Sequence, residues 1–120
     1  MDINQKLKDL LEGPTGLSVE QDEYTGIASK YIIFSYADER PEYFGDNLPT
    51  SDTVYLNIQL ITPKEYNYLK LKHQIRNLLE NADFIVTSIR SFLGDVYVGT
   101  EKQRQTVFEV KYTEQRQEEE

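Results

Sequence analysis

The sequence predicts an α+β domain: an antiparallel or mixed four- to five-stranded sheet with two helices on one face, in the order α-β-β-β-α-β-β. Three observations predict it. Two segments, far apart in the chain, carry apolar residues at helical spacing. Between and after them lie segments rich in β-branched and aromatic residues, some strictly alternating. Turn formers punctuate the junctions, and no repeat or low-complexity linker interrupts the series.

Residues 2–12 form the first helix. Ile3, Leu7, Leu10 and Leu11 fall on one stripe, and Gly13-Pro14 is expected to end it. A helix this short is marginal alone and must dock to persist. A weak strand is expected over Leu17–Asp22, followed by a turn near Gly26. Residues 30–37 are a strong strand, with Ile32, Phe34 and Tyr36 on one face and Tyr31, Ile33 and Ser35 on the other. Residues 38–51 form a long polar loop containing Pro41, Gly45 and Pro49. The clearest alternation follows over residues 52–61. Val54, Leu56, Ile58 and Leu60 face the core, and Thr53, Tyr55, Asn57 and Gln59 face away.

Thr62-Pro63-Lys64-Glu65 has the spacing of a capping box, so the second helix is expected to start there and run to about Asn81. Its stripe is Tyr68, Leu71, Ile75, Leu78, Leu79 and Ala82, with Lys64, Lys70, Arg76 and Asn77 outward. Residues 84–92 are a further strand. A polar connection with Gly94, Asp95, Gly99 and Lys102 leads to the last strand, Gln105–Tyr112. A single domain over residues 1–113 is expected, with 114–120 as a disordered acidic tail. The sheet face away from the helices is expected to be partly exposed or covered by a partner.

Composition removes several classes of function. With no cysteine there is no thiol catalysis, thiolate metal site or disulfide. The single histidine, His73, lies mid-helix among Lys70, Lys72 and Arg76 and reads as a surface residue without a partner acid. A net charge of −8 and a pI near 4.7 oppose nonspecific nucleic-acid or anionic-membrane binding. Basic residues do not cluster with aromatics on one strand face, which argues against an RNA-binding sheet. Neither a phosphate loop nor a dinucleotide fingerprint occurs. The N-terminus lacks the basic and apolar regions of a signal peptide, and no apolar run is long enough to span a bilayer. The residues thus point to a non-enzymatic protein with no cofactor and no catalytic, cofactor-binding or metal residues.

Two features remain as candidate contacts. Asp38, Glu39, Glu42 and Asp46, with Asp52 directly after, make the 38–51 loop acidic; it reads as a solvated loop or as a contact to a basic partner, and its spacing does not match a calcium loop. Nine tyrosines and five phenylalanines are many for 120 residues; they read either as sheet packing, where strand tyrosines bridge core and water, or as interface residues, where tyrosine is favoured. Tyr43, Phe44, Asp46 and Leu48 in the loop, with Tyr31 and Tyr55 on the open face, are therefore the candidate subunit or partner contacts.

In combination these pieces resemble a known family. Lys30-Tyr-Ile-Ile-Phe-Ser-Tyr-Ala-Asp-Glu-Arg-Pro-Glu-Tyr-Phe-Gly-Asp-Asn47 contains the pattern Tyr-x-x-Phe-x-Tyr before an acidic segment. Val54–Thr62, a helix opening with Tyr66 and Leu69, a strand from Phe84 and the closing Gln105–Tyr112 follow. This order over residues 1–112 resembles the tail-terminator, or tail-completion, proteins of phages and prophages of Gram-positive bacteria. The resemblance implies a structural homo-oligomeric ring, often a hexamer, that caps the tail tube and meets the head connector. It implies no enzymatic activity, and a location in the host cytoplasm during assembly and then in the virion. Another phage neck or head–tail joining protein, or a cellular protein-binding adaptor, shares the same outline.

Overall fold

A computed structural model describes residues 2–43 and 49–115 of the chain. The elements are α1 (Ile3–Thr15), β1 (Ser18–Gln21), β2 (Tyr31–Tyr43), β3 (Pro49–Thr62), α2 (Leu69–Asn81), β4 (Ile85–Val98) and β5 (Glu101–Gln115). The five strands form one mixed sheet in the order β1-β2-β3-β5-β4, parallel only between β1 and β2. The α+β class and the order of elements are those the sequence predicts.

Both helices lie on one face. Leu7 and Leu11 of α1 and Leu71, Ile75 and Leu79 of α2 pack into one cluster with Ile32, Phe34, Leu56, Ile58 and Phe108. Those strand residues are directly cross-paired, Phe34 opposite Ile58 and Ile58 opposite Phe108, so one pleat row supplies the centre of the core. Burying each such side chain contributes about 1.5–3 kcal/mol.

Strand length sets the shape. Strands of 13–15 residues extend about 43–50 Å, whereas a 13-residue helix covers only about 20 Å. The sheet therefore overhangs its helices. The molecule measures 56 × 24 × 24 Å, and its radius of gyration, 16.0 Å, exceeds the roughly 14 Å of a compact chain of this size. At one end β2, β3 and the last residues of β5 continue as an arm. At the other end β4 and β5 continue as a two-stranded arm beyond Thr62, the last residue of β3.

Several boundaries differ from the sequence expectation, each for a physical reason. Helix α1 continues through Pro14 to Thr15. Proline costs it one backbone bond near the end, the one to Leu10 O, and the Thr15 hydroxyl adds a bond to the neighbouring Leu11 carbonyl. The stop is Gly16, whose φ of 72° suits glycine and whose N–H reaches Glu12 O at 2.8 Å. Helix α2 does not start at the Thr62 capping box. Thr62 is the last residue of β3 and fully buried, so it cannot cap; Pro63 instead opens a turn closed by Tyr66 N–H to Pro63 O at 3.1 Å. The helix begins at Leu69, with Asn67 accepting from its N–H at 3.2 Å.

The polar loop expected at 38–51 is largely strand: β2 runs to Tyr43 and β3 starts at Pro49. A bulge at Ala37 reorients β2, after which Asp38 to Glu42 pair with Tyr55 to Ser51. Pro41 is tolerated because the outer side of this stretch has no strand neighbour among the described residues. The polar connection around Gly94 and Lys102 is likewise the second arm, and β5 runs to Gln115, past residue 113.

Candidate interaction surface

The face opposite the helices carries no second layer among the described residues. Its middle is built by Tyr31 and Ile33 of β2, Tyr55, Asn57, Gln59 and Ile61 of β3, and Val107 and Glu109 of β5, as the registers require. The segment between β1 and β2 returns at one end of this face. There Tyr24 stacks on Tyr31 with ring centroids 4.1 Å apart, and the Tyr24 hydroxyl accepts from Ala28 N–H. Ile61, directly opposite Tyr31, is 1% exposed. Burial, and then the neighbouring Tyr24, pushes the Tyr31 phenol above its ordinary pKa.

Farther along the face a shallow groove of about 260 Å³ crosses the strands, lined by Ala37, Tyr55, Asn57, Thr87 and Glu109 among others. Two register shifts frame it: Ala37 is the unpaired residue of the β2 bulge, and Thr87 that of the β4 bulge. Tyr55 stands at its edge with the Arg40 guanidinium 5.3 Å from its ring centre. Arg40 also pairs with Asp38 at 2.9 Å, which holds the Asp38 carboxyl below its ordinary value. Arg90 reaches Glu109 at 3.2 Å on the same face. The groove is open and shallow, which suits contact with another surface rather than enclosure of a small molecule.

Of the six candidate contacts, Tyr31 and Tyr55 are half-buried on this open face. They lie about 20 Å apart along β3, given their partners Ile61 and Asp38. Tyr43 ends β2, opposite Pro49. Phe44, Asp46 and Leu48 lie outside the described residues. Of the two whose side chains are described, Tyr31 and Tyr55, the structure does not bring one to the other.

Two further surfaces escaped the sequence reading. The β4–β5 arm exposes Phe92, Leu93, Tyr97 and Val98, the last 63% exposed. Phe92 falls at the end of the strand expected over 84–92, whereas Leu93, Tyr97 and Val98 fall in the stretch that Gly94, Asp95 and Gly99 mark as a polar connection. At the same end of the molecule a cluster of cations lies over tyrosine rings. Lys30 Nζ sits 4.4 Å from the Tyr66 ring centre, and Arg104 and Lys72 approach Tyr68 to 5.1 and 5.9 Å. Its sequence signal was Tyr66-Asn67-Tyr68 between Lys64 and Lys70.

His73 is exposed, and among the described residues no group of acidic or histidine side chains is placed to hold a metal ion. No described helix is long and apolar enough to cross a membrane. Compared with known proteins, the chain matches no family model and no curated protein.

Proposed function

We propose that this chain is a structural virion assembly protein of the tail-terminator type, whose copies form a ring that caps a phage tail tube and joins it to the head connector. The observation that carries the reading is the overhanging sheet. A 56 Å molecule with a sheet face that carries no second layer among the described residues, and an arm at each end, offers several distinct surfaces, and a ring needs different, complementary surfaces on each copy. The Tyr31-x-x-Phe34-x-Tyr36 strand leading into an acidic segment, and the α-β-β-β-α-β-β order, support the same reading. On this account the protein acts in the host cytoplasm during assembly and remains in the virion, without cofactor and without catalysis.

The test is polymerisation of a phage tail-tube protein in the presence of this chain. The reading expects tubes of limited length carrying this protein at one end only. Tubes that lengthen unchecked, with none of the chain bound to their ends, would overturn it.

A further inference from the structure

The two ends of the helix-covered side carry opposite charge. At the arm formed by β2, β3 and β5, the carboxylates of Asp2, Glu39 and Glu114 lie close enough to Tyr36 to act on its phenol. Glu39 pairs opposite Val54, and Glu114 pairs opposite position 52, two residues along β3, so both carboxylates fall on the face that Val54 shares with the core. The negative field is felt by Tyr36, whose phenol is pushed up first by burial and then by Asp2, Glu114 and Glu39.

The other end carries Lys30, Lys72 and Arg104 over the rings of Tyr66 and Tyr68. None of these three cations belongs to an ion pair seen among the described residues. The start of α2 adds to the positive potential. Its first turn holds no acidic residue, its N-cap Tyr68 makes no side-chain bond, and Lys70 and Lys72 stand where the helix dipole favours anions. Arg104 pairs opposite Thr62, ten residues along β3 from Asp52, which puts the two ends about 33 Å apart. That is several times the screening length of roughly 8–10 Å at physiological salt. The two patches cannot neutralise each other within one molecule.

We infer that the acidic end of one copy docks on the cation–tyrosine end of the next, joining copies head to tail. Two complementary patches at opposite ends of one chain are what a heterologous contact requires; it closes into a ring if the rotation permits and extends as a filament if not. The tyrosine rings hold the cations in place and supply apolar area beside them. The inference rests on the reading of the chain as a ring-forming protein, and it names the surfaces that form the ring.

The test is light scattering on the full chain and two charge-reversed variants, Glu39→Lys/Glu114→Lys and Lys72→Glu/Arg104→Glu, at about 50 and about 500 mM salt. The wild type is expected to form a discrete oligomer that weakens at high salt. Each variant alone is expected to associate at least about tenfold more weakly, because like charges now meet. An equal mixture of the two is expected to regain the oligomer, since each variant's altered end then meets the other's altered end with opposite charge. Regain in the mixture also shows that both variants are folded. A wild type monomeric at both salts, variants that keep the oligomer, or folded variants that fail to reassemble when mixed would each overturn the contact. Variants that keep the oligomer and still cap tubes would overturn the contact alone. Charge-dependent assembly by a protein that ignores tail tubes would leave the contact standing and remove the terminator reading.

Discussion

The Lys6 ammonium on α1 donates to the Tyr112 hydroxyl on β5 across 2.7 Å, joining residues 106 positions apart. The same ammonium lies 4.6 Å from the centre of the Tyr112 ring, which stacks on Phe84 at 4.4 Å. The contact holds the first helix to the last strand and closes the core at the edge of the acidic arm. A double-mutant cycle with Lys6→Met and Tyr112→Phe is expected to give a coupling of about 0.5–1.5 kcal/mol. Urea unfolding measures it, and additive effects would mean that the contact stabilises nothing.

Phe108 is fully buried in the pleat row that forms the core, whereas Phe92 is 41% exposed on the β4–β5 arm. Phe108→Ala is expected to cost about 3–5 kcal/mol, a large share of the stability of a domain this size. Phe92→Ala is expected to cost less, about 1–2 kcal/mol, because a large part of this side chain already meets solvent in the folded chain. Equilibrium unfolding of both variants checks the contrast. If the two costs were equal, the arm would be packed within the monomer.

Gly16 ends α1 with φ 72°, and a Cβ built there meets nothing within 4 Å. Gly16→Ala therefore carries only a backbone penalty, expected at about 1–2 kcal/mol. Thermal unfolding should show the loss with no change in far-ultraviolet signal at low temperature.

Tyr31 and Tyr36 both hold their protons above the ordinary phenol value, chiefly through burial. A group whose pKa is raised on folding contributes stability that is fully present below its unfolded value, near pH 10, and lost as pH rises through the folded value. Absorbance titration is expected to show late-ionising tyrosines, and Tyr36→Phe is expected to remove part of that late component. Unfolding at alkaline pH should become less steep in pH for that variant. Titration of all nine tyrosines at the ordinary value would contradict this.

Which parts of the fold were legible followed from how local the signal was. The alternation of Val54, Leu56, Ile58 and Leu60 gave β3 its buried face, and Leu71, Ile75 and Leu79 gave α2 its stripe; all are in the core. The arms were not legible, because Pro41, Gly94 and the charges around Asp38 are turn chemistry in isolation. They become strand only because β3 and β5 run long enough to pair with them. Thr62 shows the same effect: its capping-box spacing with Glu65 is overruled by its place opposite Arg104 in the ladder. Of the candidate contacts, Tyr31 and Tyr55 could be placed on the open face from the period of their strands. The cation–tyrosine end combines β5, α2 and the residue before β2, a juxtaposition that no local pattern contains.

The most direct test of the account is the mass of the full chain in solution, measured by light scattering over a concentration series with and without a phage tail-tube protein. A single closed oligomer of fixed mass, formed by the chain alone and retained on the tube, is what a head-to-tail ring predicts. A monomer at every concentration, unchanged when the tube is added, would contradict it.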